Sequence, residues 1–264
     1  MKLRTLMSLL ACTAIAGSAS AAVSVFDFDG NYNASAGPAV MSEFGPSMGT
    51  FGTDTIAGQN SGVFNFSGAA PKTQGLLVTH GAPPNGGGSY VNQFTLGYDI
   101  KWPDVGGYSS LLQTGIADTS DGDLFLHNGG FGISSNYQGS IAANNWYRLM
   151  FVFDLKPTGS DSMLYKYVDG AQVGSQKLSA GADGRWSLDP SFLLFGDEDG
   201  ESKAGSISSF YFNDQALTAD SVAAFGRANA GGFLGGDTAV PEPATLSLLA
   251  LGVIPALRRR KTAR

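Results

Sequence analysis

The chain has 264 residues, 14 % of them charged and 43 % hydrophobic, with 37 Gly, one cysteine (Cys12) and a formal charge of −6. Gly at twice the usual share of roughly 7 %, but without a G-X-Y period, excludes collagen, and the apolar content excludes a disordered polyelectrolyte. One cysteine excludes a disulfide-stapled miniprotein, and the acidic balance opposes nucleic-acid binding, which needs a basic face.

Charge is segregated along the chain. Lys2 and Arg4 open it and Arg258, Arg259, Arg260, Lys261 and Arg264 close it, which leaves nine basic residues against 22 acidic ones and a net charge of −13 between the ends. From Met1 to Ala21 a basic start is followed by an apolar stretch, Leu6 to Ala16, and the small-residue finish Ala19-Ser20-Ala21. This is the pattern of a secretory signal peptide, 1–21, cleaved after Ala21. An ordinary N-terminal helix is the first alternative, although the stretch lacks an amphipathic period. The second is a lipoprotein signal at Leu9-Leu10-Ala11-Cys12, which leaves a short apolar core.

The next 200 residues alternate short apolar and aromatic runs with Gly, Asn, Asp and Ser clusters. Strands are predicted at Val23–Phe28, Gly62–Phe66, Gln74–Thr79, Gln93–Trp102, Ser109–Thr114, Asp123–His127, Gly130–Ser134, Trp146–Asp154, Met163–Val168, Ser191–Phe195 and Ser206–Phe212. Such spacing marks an all-β antiparallel sandwich or jelly roll. Alternation in Phe151 to Leu155 and Tyr165 to Tyr167 predicts one buried and one wet face. Tyr167-Val168-Asp169-Gly170 reads as a strand entering a tight turn. Only Thr218 to Phe225 looks helical, with Thr218 as N-cap and Gly226 as C-cap.

Toward the end, Pro241-Glu242-Pro243 precedes the apolar segment 244–257 and then Arg258, Arg259 and Arg260. As a helix those fourteen residues reach about 21 Å, short of the roughly 30 Å hydrocarbon core, so they suit transient retention in the inner membrane. The basic clusters at both ends stay cytoplasmic by the positive-inside rule and the acidic middle lies outside. This order of parts resembles the PEP-CTERM sorting signal of Gram-negative bacteria. The resemblance implies processing by an exosortase at or near the triplet, and often a link to exopolysaccharide. Pro255 departs from an unbroken helix.

A second resemblance rests on ordered landmarks between about 24 and 226. They include Phe26-Asp27-Phe28-Asp29-Gly30, Phe94–Trp102, Trp146-Tyr147-Arg148, Val152-Phe153-Asp154, Tyr167-Val168-Asp169-Gly170, Leu193-Leu194-Phe195-Gly196, Gly205-Ser206-Ile207, Phe210-Tyr211-Phe212 and Ala216-Leu217-Thr218. They look like those of laminin-G-like, concanavalin A-like jelly rolls, which implies a domain over 22–232, a linker 233–239 and the sorting signal 240–264. The fold hosts lectins, glucanases and inert modules alike, so it assigns no activity.

Glucanases of this group carry Glu-x-Asp-x-x-Glu, because retaining hydrolysis needs two carboxyls about 5–5.5 Å apart. The four Glu residues, Glu43, Glu198, Glu201 and Glu242, never take that spacing, so a non-catalytic module is expected. Gly45-Pro46-Ser47-Met48-Gly49 matches G-x-S-x-G but lacks the strand and helix a nucleophile elbow requires. His80 and His127 are too few for a zinc site without carboxylates.

Two acidic loops are better candidates. Asp197, Glu198, Asp199 and Glu201, and less so Asp118, Asp121 and Asp123, offer hard oxygens of the kind Ca²⁺ prefers, and laminin-G resemblance implies a calcium ion at the sandwich rim. Tyr90, Trp102, Tyr108, Tyr137 and Trp186 are the aromatics available for sugar stacking, whereas Trp146 reads as core. The expected protein is exported to the cell surface or extracellular matrix and binds a polysaccharide or surface protein there. A glycan-cleaving enzyme and a structural component without a ligand are the alternatives.

Overall fold

The computed structural model describes residues 21–117 and 123–235. The signal-peptide residue Ala19, the loop residues Asp118 and Asp121, and the sorting residues Pro241, Glu242, Pro243, Arg258, Arg259 and Arg260 lie outside the described residues. The strands are β1 (Val23–Asp27), β2 (Val40–Phe44), β3 (Gly49–Ile56), β4 (Gln59–Phe66), β5 (Gly75–Thr79), β6 (Gln93–Lys101), β7 (Tyr108–Leu112), β8 (Leu124–His127), β9 (Gly130–Ile133), β10 (Asn136–Gln138), β11 (Tyr147–Asp154), β12 (Met163–Val168), β13 (Ala171–Lys177), β14 (Ser191–Leu194) and β15 (Gly205–Asn213). One short helix, α1 (Ala219–Ala224), follows them. No helix among the described residues is long and apolar enough to cross a membrane.

One layer is an eight-stranded antiparallel sheet ordered β13-β12-β11-β6-β15-β4-β3, with β1 sharing the edge of β15 beyond β4. The other layer comprises β10-β9-β8-β7 and β14-β5-β2. Gln113 and Leu193 exchange both backbone hydrogen bonds at 2.9 Å and join these two pieces into one layer. Two antiparallel layers packed face to face are the jelly-roll sandwich that the turn-punctuated apolar runs predict.

Period-2 alternation sorts the side chains. On the inner side of the large sheet Phe94, Leu96, Tyr98 and Ile100 of β6 and Leu149, Phe151 and Phe153 of β11 are fully buried against Leu124, Leu126, Phe131, Phe192 and Leu194 of the other layer. Phe94 and Phe153 stack with centroids 4.6 Å apart. The β12–β13 turn has Asp169 at φ 51° and Gly170 at φ 81°, both left-handed as a type I′ hairpin demands. Helix α1 starts where Thr218 Oγ1 accepts from the Ser221 amide, and Gly226, at φ 61°, ends it.

The outer side of the large sheet is not wet. Val25, Met150, Val152, Tyr167 and Tyr211 are covered by Val222 and Phe225 of the α1 region and by Phe233. The packed chain therefore runs to Phe233, 2 % exposed, where the sequence places the start of a linker. Arg148 of β11 fastens this cover. Its Nε and Nη2 donate to the two oxygens of Asp99 on β6 at 2.7 and 2.6 Å, Nη1 donates to the Phe225 carbonyl at 2.6 Å, and Nη2 also donates to the Gly232 carbonyl at 2.8 Å. Its guanidinium lies 4.3 Å from the Phe233 ring centroid.

Lys166 of β12 is a second buried cation, its Nζ donating to the Asn136 carbonyl at 2.7 Å and to Gln176 Oε1 at 3.1 Å. Burial pulls its ammonium down to about 8, below the roughly 10.4 of an unfolded lysine. The folded chain therefore binds fewer protons than the unfolded one between these values, and stability should rise with pH across that window. Urea melts at pH 7 and pH 10 are expected to show a gain on the order of 3 kcal/mol that Lys166→Met lacks.

Candidate functional site

The acidic loop follows β14 at the rim of the sandwich. Phe195, at φ 64°, and Gly196 turn the chain out of the strand, while Phe195 stacks on Phe66 at 4.2 Å. The loop is tied down at several points. The Lys72 amide donates to the Asp197 carbonyl at 3.1 Å, the Ser110 amide to the Glu201 carbonyl at 2.6 Å, and Ser202 Oγ to the Phe195 carbonyl at 2.9 Å.

Within this frame Asp197, Asp199 and Glu201 offer carboxylate oxygens that all lie within 4.8 Å of one another. Asp197 is 1 % exposed. Its Oδ2 accepts from the Glu201 amide at 2.8 Å and the Asp199 amide at 3.3 Å, whereas its Oδ1 is buried with no hydrogen-bond partner. Burial, and then the neighbouring Asp199 carboxyl, push Asp197 up to about 6. A buried anion with an unsatisfied oxygen beside two further carboxylates is costly unless a cation sits among them. Oxygens sharing one Ca²⁺ at about 2.3–2.6 Å lie no more than about 5 Å apart, which this triad meets.

The other acidic candidates separate from that triad. Glu198 turns away, its Oε2 accepting from Gln113 Nε2 at 3.3 Å. Asp123 is buried and accepts from the Thr114 amide at 2.9 Å, Thr114 Oγ1 at 2.8 Å and Arg185 Nε at 3.0 Å, so its oxygens hold the β7–β8 connection to the Arg185 segment. The G-x-S-x-G serine, Ser47, sits in the β2–β3 loop and donates to Glu43 Oε1 at 2.7 Å, with no helix after it. His80 is structural as well: Nδ1 accepts from the Ala82 amide at 2.9 Å, and Nε2 lies 2.9 Å from the Asp189 carbonyl.

The aromatics divide by exposure. Trp102 and Trp186 are buried, whereas Tyr90 and Tyr108 are 40 % and 38 % exposed. Trp146 is half-buried beneath Lys101, whose Nζ is 5.3 Å from the ring centroid, and stands apart from the main core that the sequence predicts for it. Tyr108 stacks on His127 at 3.9 Å, and Tyr137 leans on both rings at 5.9 and 4.8 Å. Beside them lies a cavity of about 260 Å³ lined by Tyr108, Phe125, Ile133, Ser134, Ser135, Tyr137, Arg185 and Glu201. A cavity of about 570 Å³ near Asp154 and Asp214 is lined by neither the carboxylate triad nor an aromatic ring.

Residues 105–223 match the family model of the concanavalin A-like lectin/glucanases superfamily, laminin-G type, and residues 239–261 match the PEP-CTERM protein-sorting motif. The chain carries a laminin-G-like domain and a PEP-CTERM sorting signal. That signal implies an exported protein with a membrane-anchored precursor that an exosortase processes. The sandwich extends beyond the matched segment on both sides, from β1 to Phe233.

A comparison with curated proteins finds no match. Solved structures are similar only at low identity. The receptor-binding domain of botulinum neurotoxin C/D mosaic serotype is 15 % identical, with TM-score 0.49 over 77 % of this chain and 50 % of that one. Domain 4 of a GH43 extracellular arabinanase from Geobacillus stearothermophilus, in complex with arabinotriose, is 16 % identical, with TM-score 0.46 over 77 % and 98 %. A Trypanosoma rangeli sialidase mutant displaying trans-sialidase activity is 13 % identical, with TM-score 0.48 over 76 % and 32 %. The chain thus spans about half of the neurotoxin chain, and such distant likenesses carry no ligand or activity across.

Proposed function

We propose that this exported protein is a surface or extracellular-matrix component whose sandwich is a non-catalytic binding module, stabilised at its rim by one Ca²⁺ held by Asp197, Asp199 and Glu201. The observation that carries the cation is the partnerless Oδ1 of Asp197, buried beside two other carboxylates. Calcium is a better fit than magnesium, which demands near-ideal octahedral geometry, usually keeps several waters and is bound by only one or two carboxylates. The ion would tie the β14–β15 loop together and neutralise part of the surplus negative charge.

The same triad supports the non-catalytic reading over a glycan-cleaving one. A raised carboxyl beside a second carboxylate is the pairing a retaining glycosidase uses. A general acid must reach the glycosidic oxygen, however, and Asp197 has one oxygen occupied by two amides and the other sealed from solvent. No reducing ends are therefore expected when the protein is incubated with polysaccharide, and their steady release would overturn this reading.

Titration of the full-length protein with Ca²⁺ is expected to give one site, abolished by Asp199→Asn; absence of heat and of any melting shift would remove the cation. For sorting, replacing Pro241, Glu242 and Pro243 by Ala is expected to leave an uncleaved, membrane-retained precursor in an exosortase-bearing host. Normal maturation of that variant, read by immunoblot of membrane and released fractions, would refute exosortase processing.

A further inference from the structure

On the outer side of the second layer, strand parity places Tyr108 and Ser110 of β7, Phe125 and His127 of β8, and Gly130 and Gly132 of β9 on one face. The two glycines leave β9 bare there. Tyr137 of β10, paired with Gly132, fills that gap, and a Cβ on Gly130 would stand 3.3 Å from the Tyr137 backbone and Cβ. The result is an aromatic platform in which His127 stacks on the Tyr108 ring, and Tyr108, Phe125 and Tyr137 together line the 260 Å³ cavity. A turn with both Ser134 and Ser135 left-handed, at φ 48° and 68°, walls the cavity.

The rim is polar. Arg185 and Glu201 line the cavity with the two serines, and on the same face the Ser110 hydroxyl is fully buried without a partner. We infer that this cavity is a subsite for a single uncharged sugar ring, stacked on Tyr108 and Tyr137 and hydrogen-bonded through its hydroxyls to Arg185, Glu201 and the seryl rim.

Three features select that ligand. A flat, half-exposed ring face takes the CH face of a pyranose, whereas an apolar peptide side chain would strip water from the rim without replacing its hydrogen bonds. A cavity just below the roughly 300–1,000 Å³ of small-molecule sites fits one ring rather than a run of them. An anionic sugar is disfavoured because the Arg185 guanidinium is already engaged by Asp123 at 3.0 Å and the cavity wall also carries the Glu201 carboxylate. Glu201 also belongs to the carboxylate triad, so the pocket and the cation site share a wall. The inference rests on the binding-module reading and names the ligand class and the place.

The test is saturation-transfer NMR on the full-length protein with millimolar methyl β-D-glucopyranoside, methyl β-D-galactopyranoside, methyl α-D-mannopyranoside and methyl β-D-glucuronide. At least one neutral glycoside is expected to bind, on the order of tenfold more weakly in Tyr108→Ala and Tyr137→Ala. Tyr108→Phe should retain binding, and near-UV circular dichroism would confirm that each variant is folded. No neutral glycoside signal, a signal unchanged in both Ala variants, preference for the glucuronide, or Tyr108-dependent binding of a proline-rich peptide in place of the sugars would each overturn the pocket. Calcium heat without a glycoside signal sinks the pocket and spares the cation site. Glycoside binding without calcium heat sinks the cation site and leaves the pocket standing.

Discussion

Replacing Arg148 by Ala is expected to cost about 3–5 kcal/mol, the range for removing one partner of a buried ion pair. For a domain of this size that is a fall in melting temperature of roughly 10 °C. The cause is what stays behind. Asp99 is fully buried on β6, where burial raises its carboxyl and the Arg148 guanidinium opposes that rise. Without the guanidinium the carboxyl must take up a proton or stand unpaired, and the carbonyls of Phe225 and Gly232 lose their donors. The damage should spread to the cover of the outer face, because Arg148 is also the cation against Phe233. Amides of 225–233 are therefore expected to exchange faster with solvent, while those of β8 and β9 in the opposite layer do not. Asp99→Leu combined with Arg148→Met should recover most of the loss, since an apolar pair leaves no buried charge. A change below about 1 kcal/mol in Arg148→Ala would show that the clamp carries no load.

That clamp had no signature in the sequence, and the reason is general to the fold. Eleven runs rich in apolar and aromatic residues were legible as strands because they line the shared core. The four strands without such a signal, β2, β3, β10 and β13, stand at the edges of the sheets or their pieces. Edge strands have one neighbour and wet side chains, so runs such as Gly49–Ile56 and Ala171–Lys177 lack apolar alternation. Arg148 and Asp99 read as ordinary polar positions because burial of a charge depends on a partner 49 residues away.

The acidic loop was legible for the opposite reason: its carboxylates are adjacent in sequence and their crowding needs no fold to be noticed. Which of them converge did need the fold, since Glu198 is taken by Gln113, 85 residues away, and Asp123 by Arg185, 62 residues away. Tyr108 and Tyr137 were visible as aromatics, but the face each presents depends on register, and β7 carries a register shift between Ser110 and Leu112.

The second large effect is a reversal of pH dependence by calcium. Asp197 is pushed up to about 6 by burial and by Asp199, so without an ion the folded chain holds its proton more tightly than the unfolded chain, whose carboxyl titrates near 3.9. This group therefore destabilises the calcium-free protein fully above pH 6, and the penalty, on the order of 3 kcal/mol, disappears as pH falls toward 4. Calcium needs the ionised carboxylate, so its stabilisation follows the opposite course. At a hundredfold excess over Kd it should add about 2.7 kcal/mol at pH 7.5, a melting shift of roughly 5–10 °C, and little at pH 5. Asp197→Asn isolates the effect from the other carboxylates. It keeps an acceptor for the Asp199 and Glu201 amides and places an NH₂ donor among the remaining carboxylates. The variant should melt above the calcium-free wild type at pH 7.5, should match it near pH 4, and should not respond to calcium at either pH. Calorimetric melts with EDTA or Ca²⁺ at the two pH values decide the matter, and a calcium shift that persists in Asp197→Asn would place the ion elsewhere.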